Sequence, residues 1–423
     1  MRARESNWSG NYVYAAERWL RPGTLEELGE AVSEAQQIRA LGSRHSFTDL
    51  ADTPGSLVSL SGLPADVEID TREGVVRVAA GVTYAHLAAE LHRAGWALGG
   101  MASLPHITVA GAVATGTHGS GDTVGSLASA VCALELVGAD GRLRTVRRGE
   151  PDFDGHVVSL GALGVVTHVT LDIEPTFEVR QDVHLGLGWE DLVRQFDAIM
   201  SSAYSVSLFT DWTHAEGNQV WVKSKVPADG GEFADPLEAL HLRGVSPAVA
   251  TTHMLRGAPQ DAVTAQLGAP GPWHERLPHF RMEFTPSRGA ELQSEYFVPR
   301  RHAPAAAAAL RGAAPEFAHL LQVGEIRSIA ADTLWLSGAY GDDAVAFHFT
   351  WLLDVPGVYA VLPLVEEALS SFGARPHWGK CFTLRAEDLR EVHPRLPEFT
   401  ALRDRVDPSR KFGNLFLERC LGA

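Results

Sequence analysis

The residue types at positions 41–47 are those of a binding loop. Gly42 and Ser43 let the backbone come close to a bound group, and successive N–H groups in such a turn form an anion site to which Arg44 adds charge. Anion binding does not require His45, but that residue is explained if it holds a group covalently, with a flavin as the leading candidate. The alternative is a Gly-Ser turn with a buried, hydrogen-bonded histidine.

Small residues fill most positions between 99 and 121, and no acidic or strongly basic residue occurs there. Such a run suggests backbone packed against a flat ligand, but a tight turn followed by a Gly/Ala-rich helix on a sheet has the same composition. Both interpretations remain open. A further glycine turn, Gly161 to Gly164, leads into a β-branched strand. It lacks the GxGxxG spacing of a dinucleotide-binding turn.

Polar residues cluster at three places in the second half: Glu325 with Arg327, His348 with Thr350, and His377 with Lys380. Residues two apart in a strand point to the same face. A floor of these types suits a polyol, whose hydroxyls need many partners, whereas Glu325 would repel an anion. The alternatives are a surface ion pair, a satisfied sheet histidine and a solvated lysine. A zinc site of Glu325, His348 and His377 has no support from ligand spacing.

The elements that must position these groups follow from caps and alternation. Thr24 and Glu27 predict a capping box that opens a helix, and Thr83 predicts the start of another. Strands are expected at 37–40, 58–60, 165–171, 205–209 and 219–223, and residues 12–14 are expected to form a strand or to be irregular. Two hairpins are expected, one pairing 67–70 with 75–78 and the other pairing 133–137 with 143–146. A loop is expected at 227–231, an alanine-rich helix at 303–314 ending near Pro315, and a short helix at 398–406.

Bulk composition excludes several classes of protein. The chain has 423 residues, of which 45% are hydrophobic and 21% charged, enough for two or three domains. A net charge of −16 argues against nucleic acid or an anionic membrane as a partner. Three cysteines, Cys132, Cys381 and Cys420, argue against a disulfide framework and for a reducing compartment. With no apolar run at the N-terminus or elsewhere, we expect a cytoplasmic protein, and we expect a monomer.

The motifs together resemble the vanillyl-alcohol-oxidase flavoprotein family, in the branch that holds sugar-lactone oxidases and bacterial alditol oxidases. The resemblance covers essentially the whole chain and rests on residues 42–46, residues 103–118, the turn at 161–167, residues 325–327 and residues 377–380, with 348–350 pointing to the alditol oxidases. It implies an α+β fold, with a two-subdomain FAD-binding domain of the PCMH type and a cap domain with a large antiparallel sheet flanked by helices. The implied division is 1–175 for the FAD-binding domain, 176–380 for the substrate (cap) domain, and 381–423 for a C-terminal segment returning to the first.

The resemblance also implies FAD attached covalently through His45, with the loop at 41–47 on the pyrophosphate and Ser103 near the reacting face. The implied cofactor-binding residues are Leu41, Gly42, Ser43, Arg44, His45, Ser46, Phe47, Ser103, Thr108, Gly111, Ala114, Thr115, Gly116, Thr117, His118, Gly161, Val165 and His377. No metal is expected.

The implied reaction is hydride transfer from the terminal carbinol carbon of a polyol such as xylitol or sorbitol to flavin N5, with O2 reduced to hydrogen peroxide. Arg327 and Lys380 would act on the reacting hydroxyl, and Lys380, sharing a site with Arg327, should have a lowered pKa. The catalytic set is Arg327, Lys380 and Glu325, and the substrate-binding set is Ser103, Glu325, Arg327, His348, Thr350 and Lys380. An aldonolactone oxidase or dehydrogenase, a non-catalytic flavin or sugar binder, and a metal hydrolase are the competing interpretations.

Overall fold

The computed structural model describes residues 5–227, 233–255, 257–284 and 290–422. Most of the loop predicted at 227–231 therefore lies outside the described residues. The strands are β1 (Arg18–Leu20), β2 (Ile38–Ala40), β3 (Ser56–Val58), β4 (Val67–Asp70), β5 (Val75–Ala79), β6 (Trp96–Ala97), β7 (Val131–Val137), β8 (Leu143–Arg147), β9 (Val165–Asp172), β10 (Glu174–Pro175), β11 (Glu178–Gly188), β12 (Ser205–Thr210), β13 (Glu216–Lys225), β14 (Ser246–Pro247), β15 (Gly271–Pro272), β16 (Glu291–Pro299), β17 (Leu321–Ile329), β18 (Ala344–Leu352) and β19 (Arg375–Pro376). The helices are α1 (Leu25–Glu34), α2 (Tyr84–Arg93), α3 (Val109–Ala114), α4 (Phe153–Val157), α5 (Trp189–Arg194), α6 (Phe196–Met200), α7 (Trp273–Arg276), α8 (Ala303–Phe317), α9 (Val355–Ser370), α10 (Ala386–Val392), α11 (Leu396–Val406) and α12 (Leu415–Leu421).

A small parallel sheet in the order β1-β3-β2 carries the first binding loop at the end of β2. Helix α1 precedes β2, and Thr24 caps it by accepting from the Glu27 N–H at 3.1 Å. The carboxylate of Glu27 accepts from the Gly23 N–H instead of that of Thr24, so the predicted capping box is only half formed. Residues 12–14 are irregular, and the strand expected at 58–60 ends at Val58 because Ser59 turns the chain.

A second sheet, antiparallel in the order β4-β5-β9-β7-β8, contains both predicted hairpins, with β9 between them. The small-residue stretch combines the two interpretations left open by its composition. Its middle forms the short helix α3, and residues of the helix and of both flanking segments line a cavity. Helix α2 begins after Thr83 as predicted, with the hydroxyl accepting from the His86 N–H.

The large antiparallel sheet predicted for the second half is confirmed. Its nine strands include the path β14-β11-β13-β12-β17-β18-β16-β19, with β15 pairing to β11. One face is apolar and is covered by helices α5, α6, α8 and α9, which bury side chains such as Ile326, Phe347 and Phe349 completely. The other face carries polar side chains toward the binding loops.

Two helix boundaries differ from the predictions at prolines. Helix α8 runs through Pro315 to Phe317, because a proline so near the end costs only a bond of the last turn, and Phe317 is buried in the core. Helix α11 begins at Leu396, two residues before the predicted start, with Pro397 in its first turn where no N–H partner is needed.

The C-terminal helices α10, α11 and α12 bury side chains in the same core as α2, α3 and the five-stranded sheet. Arg39 on β2 donates to the carbonyl of Phe412 at 2.7 Å, and Lys411 donates to those of Val32 and Ser33. Asn414 donates to the carbonyls of residues 49, 50 and 52. These contacts agree with a C-terminal return to the first domain, and we retain the residue boundaries of the division as a proposal. Within the described ranges, no helix has the length and apolarity needed to span a bilayer.

Candidate active site

One cavity, of about 690 Å³, lies between the binding loops of the first half and the polar face of the large sheet. Residues 41–47, much of 102–118 and the turn at 159–161 line one side. Glu295, Glu325, Arg327, His348 and Lys380 are among those lining the other. The structure therefore brings the motifs of the two halves to one place.

Two loop contacts hold the halves in register across this cavity. The Phe47 N–H donates to the Gly379 carbonyl at 2.9 Å, which ties the loop at 41–47 to the segment before Lys380. The Ser103 carbonyl accepts from the His279 and Phe280 N–H groups at 3.2 and 3.3 Å. Both sides of the cavity are thus fixed by backbone bonds as well as by side chains.

The loop side has the features of a cradle for a flat, phosphate-bearing cofactor. A Cβ on Gly42 would lie 2.4 Å from the Thr108 Oγ1, and one on Gly111 would lie 2.8 Å from the same atom. Both glycines are exposed to the cavity, and the buried Thr108 hydroxyl has no partner within the described residues. Arg44 adopts a left-handed φ of 65°. Bare backbone and an orphaned hydroxyl fit a group with a pyrophosphate, and Arg44, which is ion-paired with Glu5, adds a cation to this side of the cavity.

Most of the predicted cofactor residues line this cavity, and two do not. Val165 is fully buried in a cluster with Leu28 and Val32, so its neighbour Val166 lines the cavity instead. Gly116 ends helix α3 with φ 69°, a conformation that glycine allows at little cost, and serves the turn. Both residues lie outside the cavity lining, and their assignment to the cofactor stays a prediction.

His45 is half-buried beside an aromatic ring that the sequence did not single out. The centroid of the Trp8 ring lies 5.0 Å from that of His45, with the planes tilted by 33°. Burial, helped by nearby His106, lowers the pKa of His45 to about 4. The imidazole is therefore neutral at neutral pH and keeps a nitrogen lone pair free for bond formation.

A polar row crosses three neighbouring strands of the large sheet. Glu295 on β16 pairs in register with His348 on β18, and His348 pairs with Glu325 on β17. Since paired residues in a sheet project to the same face, the three side chains stand side by side. Arg327 and Thr350 follow at two-residue intervals on their strands, as the sequence predicts. All five side chains line the cavity.

Glu295 is the centre of an ion-pair network in this row. Its Oε1 accepts from Arg327 Nη2 at 2.7 Å, and its Oε2 accepts from Lys380 Nζ at 2.7 Å. Arg327 Nη1 also donates to Ser103 Oγ at 3.2 Å, which connects the network to the cradle. Arg327 Nε also lies 3.4 Å from Glu325 Oε1, and 6% of each of these two side chains is exposed, so the surface-pair alternative for Glu325 and Arg327 is wrong.

The network shifts the ionisation of its members. Burial lowers the pKa of Lys380, and the charge of Arg327 adds to this, while Glu295 opposes it. The predicted direction is therefore right, but burial is the larger cause. Despite burial, the cations hold the pKa of Glu295 and of Glu325 well below the usual range, and both are carboxylates at neutral pH.

A second chain of contacts leads to Glu325 through Lys223 and His279. Lys223 on β13 is fully buried, and its Nζ lies 3.2 Å from the Pro278 carbonyl and 3.1 Å from His279 Nδ1. It also donates to the Leu277 carbonyl. His279 Nε2 lies 2.8 Å from Glu325 Oε1. Burial lowers the pKa of Lys223 to about 7 and that of His279 to about 4.

The sequence did not single out Glu295, Lys223 or His279. A charged residue inside an otherwise strand-like run was the available signal for the first two, in residues 291–299 and 219–223. His279 lies in an irregular segment and carried no such signal.

Burial keeps the three histidines around the row, His118, His348 and His377, neutral. Burial lowers the pKa of His348 to about 3, and neither of its ring nitrogens makes a hydrogen bond within the described residues. His118 Nε2 lies 3.3 Å from Glu295 Oε1. His377 Nδ1 accepts from the Gly379 N–H. In the described part of the chain, no group of three His, Cys, Asp or Glu side chains is arranged to hold a metal ion.

Comparison with known proteins gives results for both halves of the chain. A family model described as an FAD binding domain matches residues 16–147, and one described as D-arabinono-1,4-lactone oxidase matches residues 285–420. The alditol oxidase of a Streptomyces species is 48% identical over 419 residues, covering 98% of both chains. The L-gulono-1,4-lactone dehydrogenase of Mycobacterium tuberculosis is 29% identical over 440 residues, covering 99% of both.

The fold has a solved counterpart. The crystal structure of cholesterol oxidase from B. sterolicum superposes with a TM-score of 0.78 and covers 99% of this chain and 96% of its own. The two chains are 14% identical, so this similarity concerns the fold alone.

Proposed function

Because the chain belongs to the vanillyl-alcohol-oxidase family of FAD-binding flavoproteins, we propose that it is an alditol oxidase. It oxidises the terminal primary hydroxyl of a polyol such as xylitol or sorbitol and releases an aldose. The observation that carries the oxidation of a hydroxyl is the pairing of Arg327 and Lys380 on one carboxylate beside Ser103, where the cradle meets the polar row. The extent of the similarity to the Streptomyces enzyme supports it.

Bound FAD supplies the two-electron acceptor for the hydride of the terminal carbinol carbon, and O2 takes the electrons onward as hydrogen peroxide. The chain supplies binding, placement and electrostatics. Loop residues 41–47 and the bare backbone at Gly42 and Gly111 would hold the cofactor in the cradle. Ser103 connects the cradle to the sheet through its bond from Arg327, and from there it would border the reacting carbon.

Arg327 and Lys380 receive the reacting hydroxyl. Each keeps N–H groups beyond those used on Glu295, since a guanidinium has five and an ammonium has three. Two cationic donors aimed at one oxygen stabilise the negative charge that develops as its proton leaves. Because this charge develops only during reaction, the donors lower the barrier more than they strengthen ground-state binding.

The neighbouring hydroxyls pair with the rest of the row. Glu325 accepts hydrogen bonds, Thr350 donates or accepts, and neutral His348 offers ring nitrogens that have no partner in the described residues. A buried polar site that pairs several hydroxyls rejects analogues that lack them, because its own groups are then left unsatisfied. The row therefore favours polyols over simple alcohols.

FAD is held covalently through His45 in this proposal. The neutral, half-buried imidazole on the cradle supports the assignment, because a nitrogen lone pair is needed to form the bond. Trp8 packs against the ring and restricts its orientation.

An aldonolactone oxidase or dehydrogenase is the second candidate. The family model over residues 285–420 and the similarity to the mycobacterial lactone dehydrogenase favour it. A lactone would use the same cations, so the network at Glu295 does not separate the two substrates.

Anaerobic mixing with substrate tests the proposal directly. Purified yellow protein is mixed without oxygen with xylitol, with sorbitol and with an aldonolactone, and the flavin absorbance is followed before air is admitted. We expect bleaching by the alditols, and re-oxidation with stoichiometric hydrogen peroxide in air. Bleaching by the lactone alone would transfer the assignment to the second candidate.

Two variants make the result specific. Lys380→Met should bleach about 100-fold or more slowly, the usual cost of losing a donor to a developing oxyanion. Lys225→Met removes a partly exposed lysine that pairs with Glu174 and should bleach like the wild type. A Lys380→Met protein with unchanged rates would contradict the role given to this lysine.

A further inference from the structure

Glu295 lies between the two cations assigned to the reacting hydroxyl, and no motif or prediction pointed to it. Its two oxygens each hold one cation, and its side chain is 1% exposed. The carboxylate thus has both of its oxygens committed to the chain's own groups. A residue so placed acts on substrate only through its neighbours.

Taking the reaction from the proposed function above, we propose that Glu295 is a positioning residue that spaces Arg327 and Lys380 and keeps the Lys380 ammonium protonated. The geometry carries the first part. One carboxylate sets both donor atoms 2.7 Å from its oxygens, and its planar group fixes the separation between them. The placement of β16 next to β18 fixes the carboxylate in turn.

The number of buried charges supports the claim that Glu295 keeps Lys380 protonated. With Glu295 and Glu325 ionised, two carboxylates face Arg327, Lys380 and Lys223. Without Glu295, a single carboxylate would remain for three buried basic groups. A buried charge without a partner is costly, and a lysine avoids that cost by losing its proton, which arginine does not. Lys380 is therefore the group whose protonation depends on Glu295.

Every titratable group around this pair contributes to the balance. From the strands and loops packed against them, Lys380 and Glu295 face Arg327, Glu325, His348, His118 and His377. The three histidines are neutral through burial, so they add little charge at neutral pH. Arg327 favours proton loss from Lys380, and Glu295 is the nearest group that opposes it.

The test is the pH profile of anaerobic flavin reduction by xylitol in Glu295→Gln. An opposite charge at this distance moves a pKa by about 1 to 3 pH units. We therefore expect the inflection assigned to Lys380 to lie lower by about that amount, together with a slower maximal rate from the lost spacing. Lys380→Met should abolish the inflection in both backgrounds.

Two further variants separate this effect from general damage. Glu366→Gln changes another buried carboxylate, which accepts from Tyr296 and Thr383 and has no ion pair in the described part of the chain, and its profile should match the wild type. Glu295→Asp retains the charge and should retain the inflection, even if Glu295→Gln folds poorly. A Glu295→Gln profile that is slower at every pH with an unmoved inflection would overturn the proposal.

The proposed function fails separately, because it requires only that the wild-type flavin is bleached by an alditol. If the lactone alone bleaches the wild type, the same profiles are measured with the lactone.

Discussion

Lys223 Nζ, on strand β13 of the large sheet, lies 3.1 Å from Nδ1 of His279, which belongs to the irregular segment after α7. The lysine also reaches the carbonyls of Leu277 and Pro278, so its three N–H groups have three acceptors. The Nδ1 atom of His279 is therefore an acceptor, and the hydrogen of this neutral ring sits on Nε2. From there it donates to Glu325 at 2.8 Å, so a lysine outside the polar row orients a carboxylate in it.

Lys223→Met should therefore weaken substrate binding more than it slows reaction. Without the lysine, His279 can hold its hydrogen on Nδ1. Its Nε2 is then an acceptor that faces the Glu325 carboxylate, which is also an acceptor. Losing about 1 to 2 kcal/mol of orientation corresponds to a rise of about 5- to 30-fold in the xylitol Kd. The Kd comes from the concentration dependence of anaerobic bleaching. An unchanged Kd would contradict the proposal that Lys223 orients Glu325 through His279. Lys225→Met, on the same strand, is the matched control.

His45→Ala should abolish covalent attachment of the flavin. The alanine has no nitrogen to bond, so acid precipitation should give a yellow wild-type pellet and a colourless variant pellet. His106→Gln removes a neighbouring histidine whose Nε2 contacts the Met282 carbonyl at 2.7 Å, and it should stay yellow. A colourless wild-type pellet would remove the covalent assignment while leaving FAD binding intact.

Arg39→Met should destabilise the first domain strongly. Arg39 is 3% exposed and donates to four carbonyls, those of Leu50, Leu160, Gly161 and Phe412, at 2.6 to 3.0 Å. Removing it leaves buried acceptors unpaired, so we expect the free energy of unfolding to fall by about 3 kcal/mol or more. Denaturant unfolding measures this loss. Arg18→Met, in the same small sheet, loses a single side-chain bond within the described residues, to Ser56, and should change the free energy of unfolding little.

Stability should fall in acid because of the two buried carboxylates. The folded-state pKa of Glu295 and of Glu325 lies below the ordinary value of 4.5, so their stabilising contribution is complete above that pH. It is lost as the pH falls from 4.5 toward the folded values, at about 1.4 kcal/mol per pH unit for each proton bound. Thermal unfolding across this interval should show the decline.

Glu325→Gln provides the comparison for that decline. The amide cannot take up the proton, so the variant should lose less stability than the wild type between neutral and acid pH, although it starts lower. Parallel curves for the two proteins would assign the acid sensitivity to other groups.

Local pattern in the chain was sufficient for much of the fold and for most cavity residues. Alternation predicted that Glu325 and Arg327 share a face, and the two-residue period of a strand makes this independent of what packs around it. Glycines and small residues indicated where the cradle lies, because backbone without bulky side chains can approach a ligand closely. The ends of helices α8 and α11 differ from the predicted ends, because Pro315 and Pro397 lie near helix ends, where a proline is tolerated and does not stop the helix.

The partners of those residues depended on the tertiary structure. Glu295 meets Lys380 across 85 positions of sequence, and His279 meets Glu325 across 46, through strand order and loop packing that no local pattern encodes. The side chain of Val165 packs in the core while that of Val166 lines the cavity, and packing, not the motif, sets which of the two faces the core. Contacts between distant segments depend on strand register and on competition for burial, and these are properties of the whole packed chain.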